Sequence, residues 1–510
     1  MKVIAYDIGT TGLKTCMFEI SDTESVRLIE GDVEPYALNV LENGGVEQDP
    51  GEWWNAMGKS TKRLLEKTGV PKEEIKGISF CSQMQALVMV DKEGNPLRPC
   101  MSCMDTRAGE QFGRYMKKGL RVEGLNLYNI FRFYRITGAL SASAKDTIWK
   151  YHWVKDNEPE IFEKTYKWLD AKESLTCRAT GNIKVSRDVA GATFLYDVKK
   201  DSWSSELCKL FDIDMKHLPE TCASTDKVGD LLPKSAEELG LSPGTPVFSG
   251  GSDVSLCQVG AGCLGVGDIN FYSGTSGWVC TTVDRLHLDL GNLIGALLGA
   301  DPSTYCYIAE LETAGKCMEW VKDRVDLPEM DYEGLIDYIK DTSAGSNGVV
   351  FSPWMHGNRC PFEDHNAKGV FFNLDITTRG SDLVKAVVEG VCMHMRWMLE
   401  ATEKTFKTKK VVRFTGGSAI SPYICQVLSD VIGREVETIE NPRHVGAMGA
   451  AGLMAVSFGL IRDIGEIKNI IKVRETYKPR AENTAVYDKI FPVFKNLYLN
   501  NKKSFEILNG

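Results

Sequence analysis

The sequence predicts an α/β protein whose two domains close around a central cleft. Three observations lead there. At 510 residues the chain is longer than one ordinary core serves, so two or more domains are expected. A small polar turn between strand-like runs occurs twice, as Asp7-Ile-Gly-Thr-Thr-Gly12 and as Tyr272-Ser-Gly-Thr-Ser-Gly277, once in each half. A repeat at that separation points to a doubled domain rather than a solenoid. Finally, Asp253 follows Gly250-Gly251-Ser252 just ahead of the second turn.

The chemistry follows from those parts. A glycine turn lets backbone N–H groups approach phosphate oxygens, and hydroxyl side chains add donors. A nearby carboxylate can take a proton from an attacking hydroxyl. Two such turns and one carboxylate predict phosphoryl transfer in a cleft shared by both halves.

Composition narrows the class. Hydrophobic content of 43% and charge of 25% are those of a soluble globular chain. A net charge of -9, with no basic stripe, argues against nucleic acid as the partner. No apolar run approaches the roughly 18 residues of a membrane helix, and the first residues enter a strand rather than a signal peptide. Fifteen cysteines, an odd number, are expected as reduced thiols in a cytoplasmic protein. Cys100 and Cys103 lack the second pair a zinc site needs, and the seven histidines show no ligand spacing.

Taken in order, Lys2 to Lys14 reads as strand and turn, Thr15 to Ile20 as a second strand and Val26 to Tyr36 as a third. Asp49-Pro50 caps a helix whose apolar face includes Trp53, Trp54, Met57, Leu64 and Leu65. Short apolar strands at Ile78 to Cys81 and Ala86 to Val90 flank the polar corner Ser82-Gln83-Met84-Gln85, a place suited to a ligand in an α/β sheet. Residues 146–164 and 204–210 read as helical, and Pro243-Gly-Thr-Pro246 punctuates the chain between domains.

In the second half, Ser303 to Ile308 reads as a strand, Ala309 to Val325 as a helix and Ser381 to Lys407 as a long amphipathic helix. Val411 to Phe414 runs into Thr415-Gly-Gly-Ser418 and a helix from Pro422 to Gly433. A strand, a glycine turn and a helix N-terminus suit a nucleotide. Gly446 to Ser457 reads as a small-residue helix and the lysine-rich end from Asn483 as a surface helix. The expected domains are 1–247 for the acceptor, 248–485 for the nucleotide and 486–510 as a helical tail.

Three nucleotide-motif matches fail. Gly58-Lys59-Ser60 would need glycine where Trp53 stands, and Gly315-Lys316 has Glu310 and Cys317 at the required positions. Gly260-Ala-Gly-Cys-Leu-Gly265 follows a helix-like segment rather than a strand, so it is read as close packing behind Asp253.

Together these residues resemble the FGGY family of carbohydrate kinases, whose domains are actin- and hexokinase-like (ribonuclease H-like). Asp7-Ile-Gly-Thr-Thr-Gly12 and Tyr272 to Gly277 are similar to its two phosphate motifs, and Glu47-Gln-Asp-Pro50 with Trp53-Trp54 to its EqdP segment. Thr147, Lys150, Trp153, Val154, Asp156 and Asn157 fit the first family signature, with Lys145 departing from it. Gly369, Leu374, Asp382, Leu383, Ala386, Val387, Val388 and Glu389 fit the second, with Asn373 replacing a glycine. Thr415 to Pro422 with Gln426 and Asp430 is similar to the adenosine segment.

The resemblance implies ATP and Mg²⁺. Gly9, Thr10, Thr11, Gly274, Thr275 and Ser276 would hold phosphates, Gly416, Gly417, Ser418 and Ser421 the nucleoside, and Asp7 the metal. Asp253 would be the general base, with Gln83, Met84, Gln85 and Asp105 beside the sugar. Within the family the pattern lies nearest the xylulokinases, implying a ketose such as D-xylulose and a homodimer. Gln85 and the Cys103-Met104-Asp105-Thr106-Arg107 loop depart from that subgroup where sugar is expected, so ribulose, deoxy-ketose, gluconate and polyol stay open as substrates. From another class, an actin-like or chaperone-like ATPase switch would use the same two turns without a sugar.

Overall fold

The computed structural model describes residues 1–21, 24–122, 124–325, 327 and 329–510. Its frame is two sheets built to one plan. In the first, Lys2–Ile8 (β1), Gly12–Ser21 (β2) and Ser25–Pro35 (β3) form an antiparallel meander, and Ile75–Ser82 (β4) runs parallel to β1. Lys227–Asp230 (β5) and Pro246–Phe248 (β6) extend the far edge, giving the order β5-β6-β4-β1-β2-β3, and the short Gly251–Ser252 (β7) also pairs with β4. The separation expected at 247/248 therefore falls where strands of the first sheet continue to Ser252.

The second sheet repeats the order. Ile269–Ser273 (β8) pairs antiparallel with Gly277–Val283 (β9), beside which lie Leu288–Asp289 (β10), Ile294–Leu298 (β11) and Tyr305–Leu311 (β12). Val412–Thr415 (β13) and Val436–Ile439 (β14) run parallel on the other side of β8, and Val473–Tyr477 (β15) closes the edge. Stripped of additions, both sheets read third, second, first, fourth, fifth strand. The doubling inferred from the two turns is thus present in the strand order.

Helices cover these sheets. Pro50–Thr68 (α1) starts as expected, with Asp49 accepting from the Gly51 N–H and Pro50 in the first turn, and it buries Trp53 and Trp54. The helical stretch after Asp146 is two pieces, Thr147–Asn157 (α2) and Pro159–Lys164, because a proline cannot continue a helix through its own missing N–H. Asp253–Gly260 (α3) follows the first sheet, and Val445–Ser457 follows the fifth strand of the second. These two pack so closely that a Cβ on Gly260 would overlap the Val445 carbonyl and one on Gly449 the Leu256 carbonyl. The small residues near Gly260 thus serve packing, as expected, and the contact joins the lobes through one apolar cluster.

Two element assignments need correction. Ala309 to Leu311 belong to β12, and the helix begins only at Gly315 (Gly315–Arg324, α4), because β9 offers a ladder partner as far as Leu311. The last helix, Ala481–Asn509, is not a surface appendage. Its lysines face out, but Tyr487, Phe491, Phe494, Leu497, Tyr498 and Phe505 are buried in the second lobe's core. The long helix Gly380–Glu403 (α5) crosses that same core.

Candidate active site

The first hairpin turns at Gly9 to Gly12, where the Gly9 N–H donates to the Gly12 carbonyl at 3.1 Å. Strand register sets Asp7 opposite Lys14, and Lys14 Nζ reaches Asp7 Oδ2 at 2.8 Å. Burial opposes the Lys14 charge, but Asp7, and then Tyr272 of the second hairpin, hold its pKa well above the ordinary lysine value. The turn is braced from outside. Tyr36 donates to the Gly9 carbonyl, and Gln48 Nε2 donates to the Thr10 carbonyl at 2.7 Å.

The second hairpin turns at Gly274 to Ser276. Gly274 N–H donates to the Ser276 carbonyl at 2.9 Å, and the N–H groups of Ala314 and Gly315 at the start of α4 donate to the Thr275 and Gly274 carbonyls. Thr11, Thr275 and Ser276 are exposed and Thr10 is half-buried. The adenosine-like segment lies against this turn. Gly416 has φ +89°, and a Cβ there would come 2.5 Å from the Ser273 carbonyl oxygen, so only glycine fits. Ser418 Oγ lies 2.8 Å from Ser273 Oγ, while Ser421 caps Pro422–Ile432 by accepting from the Ile424 N–H.

Asp253 is the first residue of α3, but the cap is Ser252, which accepts from the Ser255 N–H. The helix cap is therefore Ser252 rather than Asp253, whose carboxylate accepts from the Val254 N–H at 2.8 Å. Burial pushes its pKa up to about 7, Val254 draws it back, and the charges of Asp7 and Glu310 raise it further. A carboxylate poised there can hold or release a proton near neutrality. Asp7, Lys14, Tyr272, Asp253 and Glu310 thus form one electrostatic neighbourhood drawn from both lobes.

The polar corner after β4 is joined to the first turn. The Gln83 N–H donates to the Ile8 carbonyl, and Gln83 Nε2 donates to Gln48 Oε1 at 2.8 Å. Gln83 is buried; Met84 packs on the interlobe cluster. Gln85 has φ +65°, a costly backbone conformation for a non-glycine residue. It is held by its N–H on Asp170 Oδ2 at 2.7 Å and by Lys150 Nζ on its carbonyl at 2.8 Å. Lys150 also donates to the Ser102 carbonyl at 2.7 Å, so its buried ammonium clamps both loops expected beside the sugar.

Asp105 is buried beneath its own loop. Its side chain is 0% exposed, and it accepts from the N–H groups of Val46 and Arg107 and from Arg107 Nη2 at 2.7 Å. It fixes the 102–107 loop. Lys14 and Glu310 were not singled out from the sequence. Counting register through the first hairpin would have found Lys14, whereas nothing local marks Glu310, which meets Asp253 only through the fold.

Asp7 bears on metal binding. Among the described residues no three His, Cys, Asp or Glu side chains gather into a metal cage. Mg²⁺, which keeps several waters and takes phosphate oxygens, needs only one or two carboxylates. Asp7, 13% exposed with one oxygen paired to Lys14, is a hard donor at the foot of the phosphate turn, so the residues fit.

Comparison with known proteins agrees with this geometry. Residues 2–260 match the N-terminal domain, and residues 270–458 the C-terminal domain, of the FGGY family of carbohydrate kinases. A xylulose kinase of Bacillus subtilis is 28% identical over 501 residues, covering 98% of this chain and 97% of its own. A gluconokinase of the same organism is 25% identical over 505 residues, with 97% and 95% covered. Among solved structures, the ligand-bound xylulose kinase of Lactobacillus acidophilus superposes with a TM-score of 0.86 at 23% identity, with 99% of each chain covered. The ATPase-switch alternative is set aside, because the catalytic family matches across both lobes. The family models cover both halves of this chain, and it belongs to the FGGY family of carbohydrate kinases, phosphotransferases that act on a sugar with ATP.

Proposed function

We propose that this kinase phosphorylates a terminal hydroxyl of an uncharged open-chain ketose such as D-xylulose, with Asp253 as general base. The observation that carries the reading is Asp253 itself: an uncapped carboxylate, its pKa near 7, between the two phosphate turns. Asp253 accepts the hydroxyl proton as the new O–P bond forms to the γ-phosphorus and the bond to the ADP oxygen breaks. With a loose transition state most of the acceleration is positioning and charge stabilisation, and the base supplies about 10²- to 10⁴-fold.

Gly9, Thr10 and Thr11 face the phosphates from one lobe and Gly274, Thr275 and Ser276 from the other, by backbone and hydroxyl donors. Gly416, Gly417, Ser418 and Ser421 receive the nucleoside. Lys14 adds positive charge at the foot of the first turn. Asp7 would hold Mg²⁺ through water, and the ion when bound neutralises phosphate charge. Met84 and Gln85 line the acceptor side, while Gln83 and Asp105 hold that side in shape.

A neutral acceptor is favoured over gluconate by how the nearby cations are paired. Arg107 faces Asp105 and Glu47, Arg98 faces Glu47 and Glu158, Lys172 faces Glu173, and Lys14 faces Asp7. Lys150 is committed to two carbonyls. Among these first-lobe cations none is left over for a carboxylate. Gluconate is the second reading, supported by the gluconokinase relative. A cytoplasmic location is supported by fifteen unpaired thiols, and a homodimer by the family resemblance alone.

The test is ADP release across D-xylulose, L-xylulose, the ribuloses, deoxy-ketoses, gluconate and small polyols, with wild type and Asp253→Asn. Sugar-stimulated turnover on a ketose, lost in the variant, is expected. A variant within about threefold of wild type removes Asp253 from the chemistry.

A further inference from the structure

Two charged residues of the second lobe, Glu312 and Arg359, stand beside Glu310 and take no part in the mechanism above. The pairing of β8, β9 and β12 sets Tyr272, Trp278 and Glu310 side by side on one face of the sheet, with the two rings stacked at 3.9 Å. Trp278 belongs to the interlobe cluster that includes Val254 and Cys257 of α3, so this row points toward the helix that begins with Asp253. At its end, Arg359 Nη1 donates to Glu310 Oε2 at 2.6 Å, and Arg359 Nε lies 2.7 Å from Glu312 Oε1. Nη2 is used in neither contact, and the side chain is 40% exposed.

Arg359 also senses the first lobe. The charges holding its guanidinium protonated are chiefly Glu310, then Glu312, and then Asp146 at the start of α2. That helix carries Lys150, whose ammonium clamps the Gln85 and Ser102 carbonyls of the acceptor corner. Arg359 thus stands beside Glu310, at the end of the sheet row that runs toward the helix carrying Asp253.

We propose that Arg359, framed by Glu310 and Glu312, is the second lobe's part of the acceptor site and selects an uncharged polyhydroxy compound over an aldonate. A hydroxyl both donates and accepts, so it can take an N–H from the guanidinium and give its proton to a flanking carboxylate. A carboxylate only accepts, and it would meet two glutamates against one arginine. Specificity then arises from the repulsive partners as much as from the attractive one. The inference rests on the sugar-kinase reading of this cleft and adds the residues that choose the sugar.

The experiment compares wild type, Arg359→Gln, Arg359→Lys and Glu312→Gln in ADP release with D-xylulose and with D-gluconate, alongside calorimetric binding of a non-hydrolysable ATP analogue. Losing a hydrogen bond from a charged group predicts that Arg359→Gln raises the ketose KM about tenfold or more. Analogue affinity should stay within about twofold, and Arg359→Lys should fall between, since an ammonium keeps the charge but not the planar fork. Glu312→Gln should raise gluconate turnover relative to ketose by about threefold or more, the effect expected of removing one half-buried like charge. A ketose KM within about twofold of wild type in Arg359→Gln overturns the proposal, as does a joint loss of analogue and ketose affinity, which marks a structural role. A wild type that accepts only gluconate overturns it while leaving the kinase reading standing; a wild type stimulated by no sugar overturns both.

Discussion

The two phosphate hairpins share a sequence pattern, yet they are not the same object. In the first, Asp7 stands opposite Lys14, seven residues away; in the second, Tyr272, the residue at the matching place in the motif, stands opposite Trp278, six residues away. The second hairpin is one residue tighter, and a one-residue change of register turns a different side chain toward its neighbour. An ion pair supports the first turn and a stacked aromatic pair the second. Their outer braces differ too. Gln48 ties the first turn to Gln83 and so to the acceptor corner, while Ser418 ties the second to the nucleoside segment. Duplicated elements have diverged into an arm tied to the corner proposed for the acceptor and an arm tied to the segment proposed for the nucleoside.

The largest expected effect lies where the arms meet. Asp253→Asn should lower kcat by about 10²- to 10⁴-fold while nucleotide affinity stays near wild type, measured by ADP release and calorimetry. In the unaltered enzyme kcat/KM should fall with acid below about pH 7, because the base acts as the carboxylate and burial holds its pKa there. A profile flat down to pH 5 would break the link between that pKa and the chemistry.

Next in size, Asp7→Asn tests whether the first hairpin alone serves the metal. By analogy with other water-linked and outer-shell ligands, it should cost about 10- to 100-fold in activity and shift the Mg²⁺ dependence upward. An unchanged Mg²⁺ dependence would remove that distinction between the arms.

The outer braces sharpen the comparison further. Gln83→Leu leaves the Gln48 amide oxygen buried and unpaired, a cost of about 1–3 kcal/mol, so KM should rise for acceptor and ATP together. Ser418→Ala removes one hydroxyl contact, about 0.5–1.5 kcal/mol, and should raise the ATP KM alone. If Gln83→Leu affected only one substrate, the first arm would not couple the two.

A separate effect falls on stability. Asp253 binds its proton more tightly folded, near pH 7, than at the ordinary carboxylate value of 3.8, so between those values the native state carries the extra proton. Its contribution to stability is present at low pH and lost as pH rises toward 7. Asp253→Asn, which has no such proton to lose, should therefore gain in Tm relative to wild type across that interval, as followed by thermal unfolding.

Much of this was legible in the chain. The two turns, their spacing, the α1 cap at Asp49-Pro50, the glycine turn at 416–417 and the long α5 helix are local or periodic patterns, and short-range sterics and hydrogen bonding fix them wherever the chain lies. Even so, the end of the strand Tyr305–Leu311 reads as helix in sequence, because a ladder partner contributed by β9 decides such a segment. The last helix looked like a surface element because its lysines are conspicuous in sequence, while the aromatic face they flank finds its core only in three dimensions.

What the sequence determined by itself was therefore the doubled plan and the two glycine turns, one in each half. Only the tertiary structure decided that Asp105 is buried under Arg107, that Lys14 pairs with Asp7, and that Glu310, more than 50 residues beyond Asp253 and paired with Arg359, acts by its charge on Asp253. Turn geometry depends on neighbours along the chain, but charge and burial depend on neighbours through space, and those exist only once the two sheets have met.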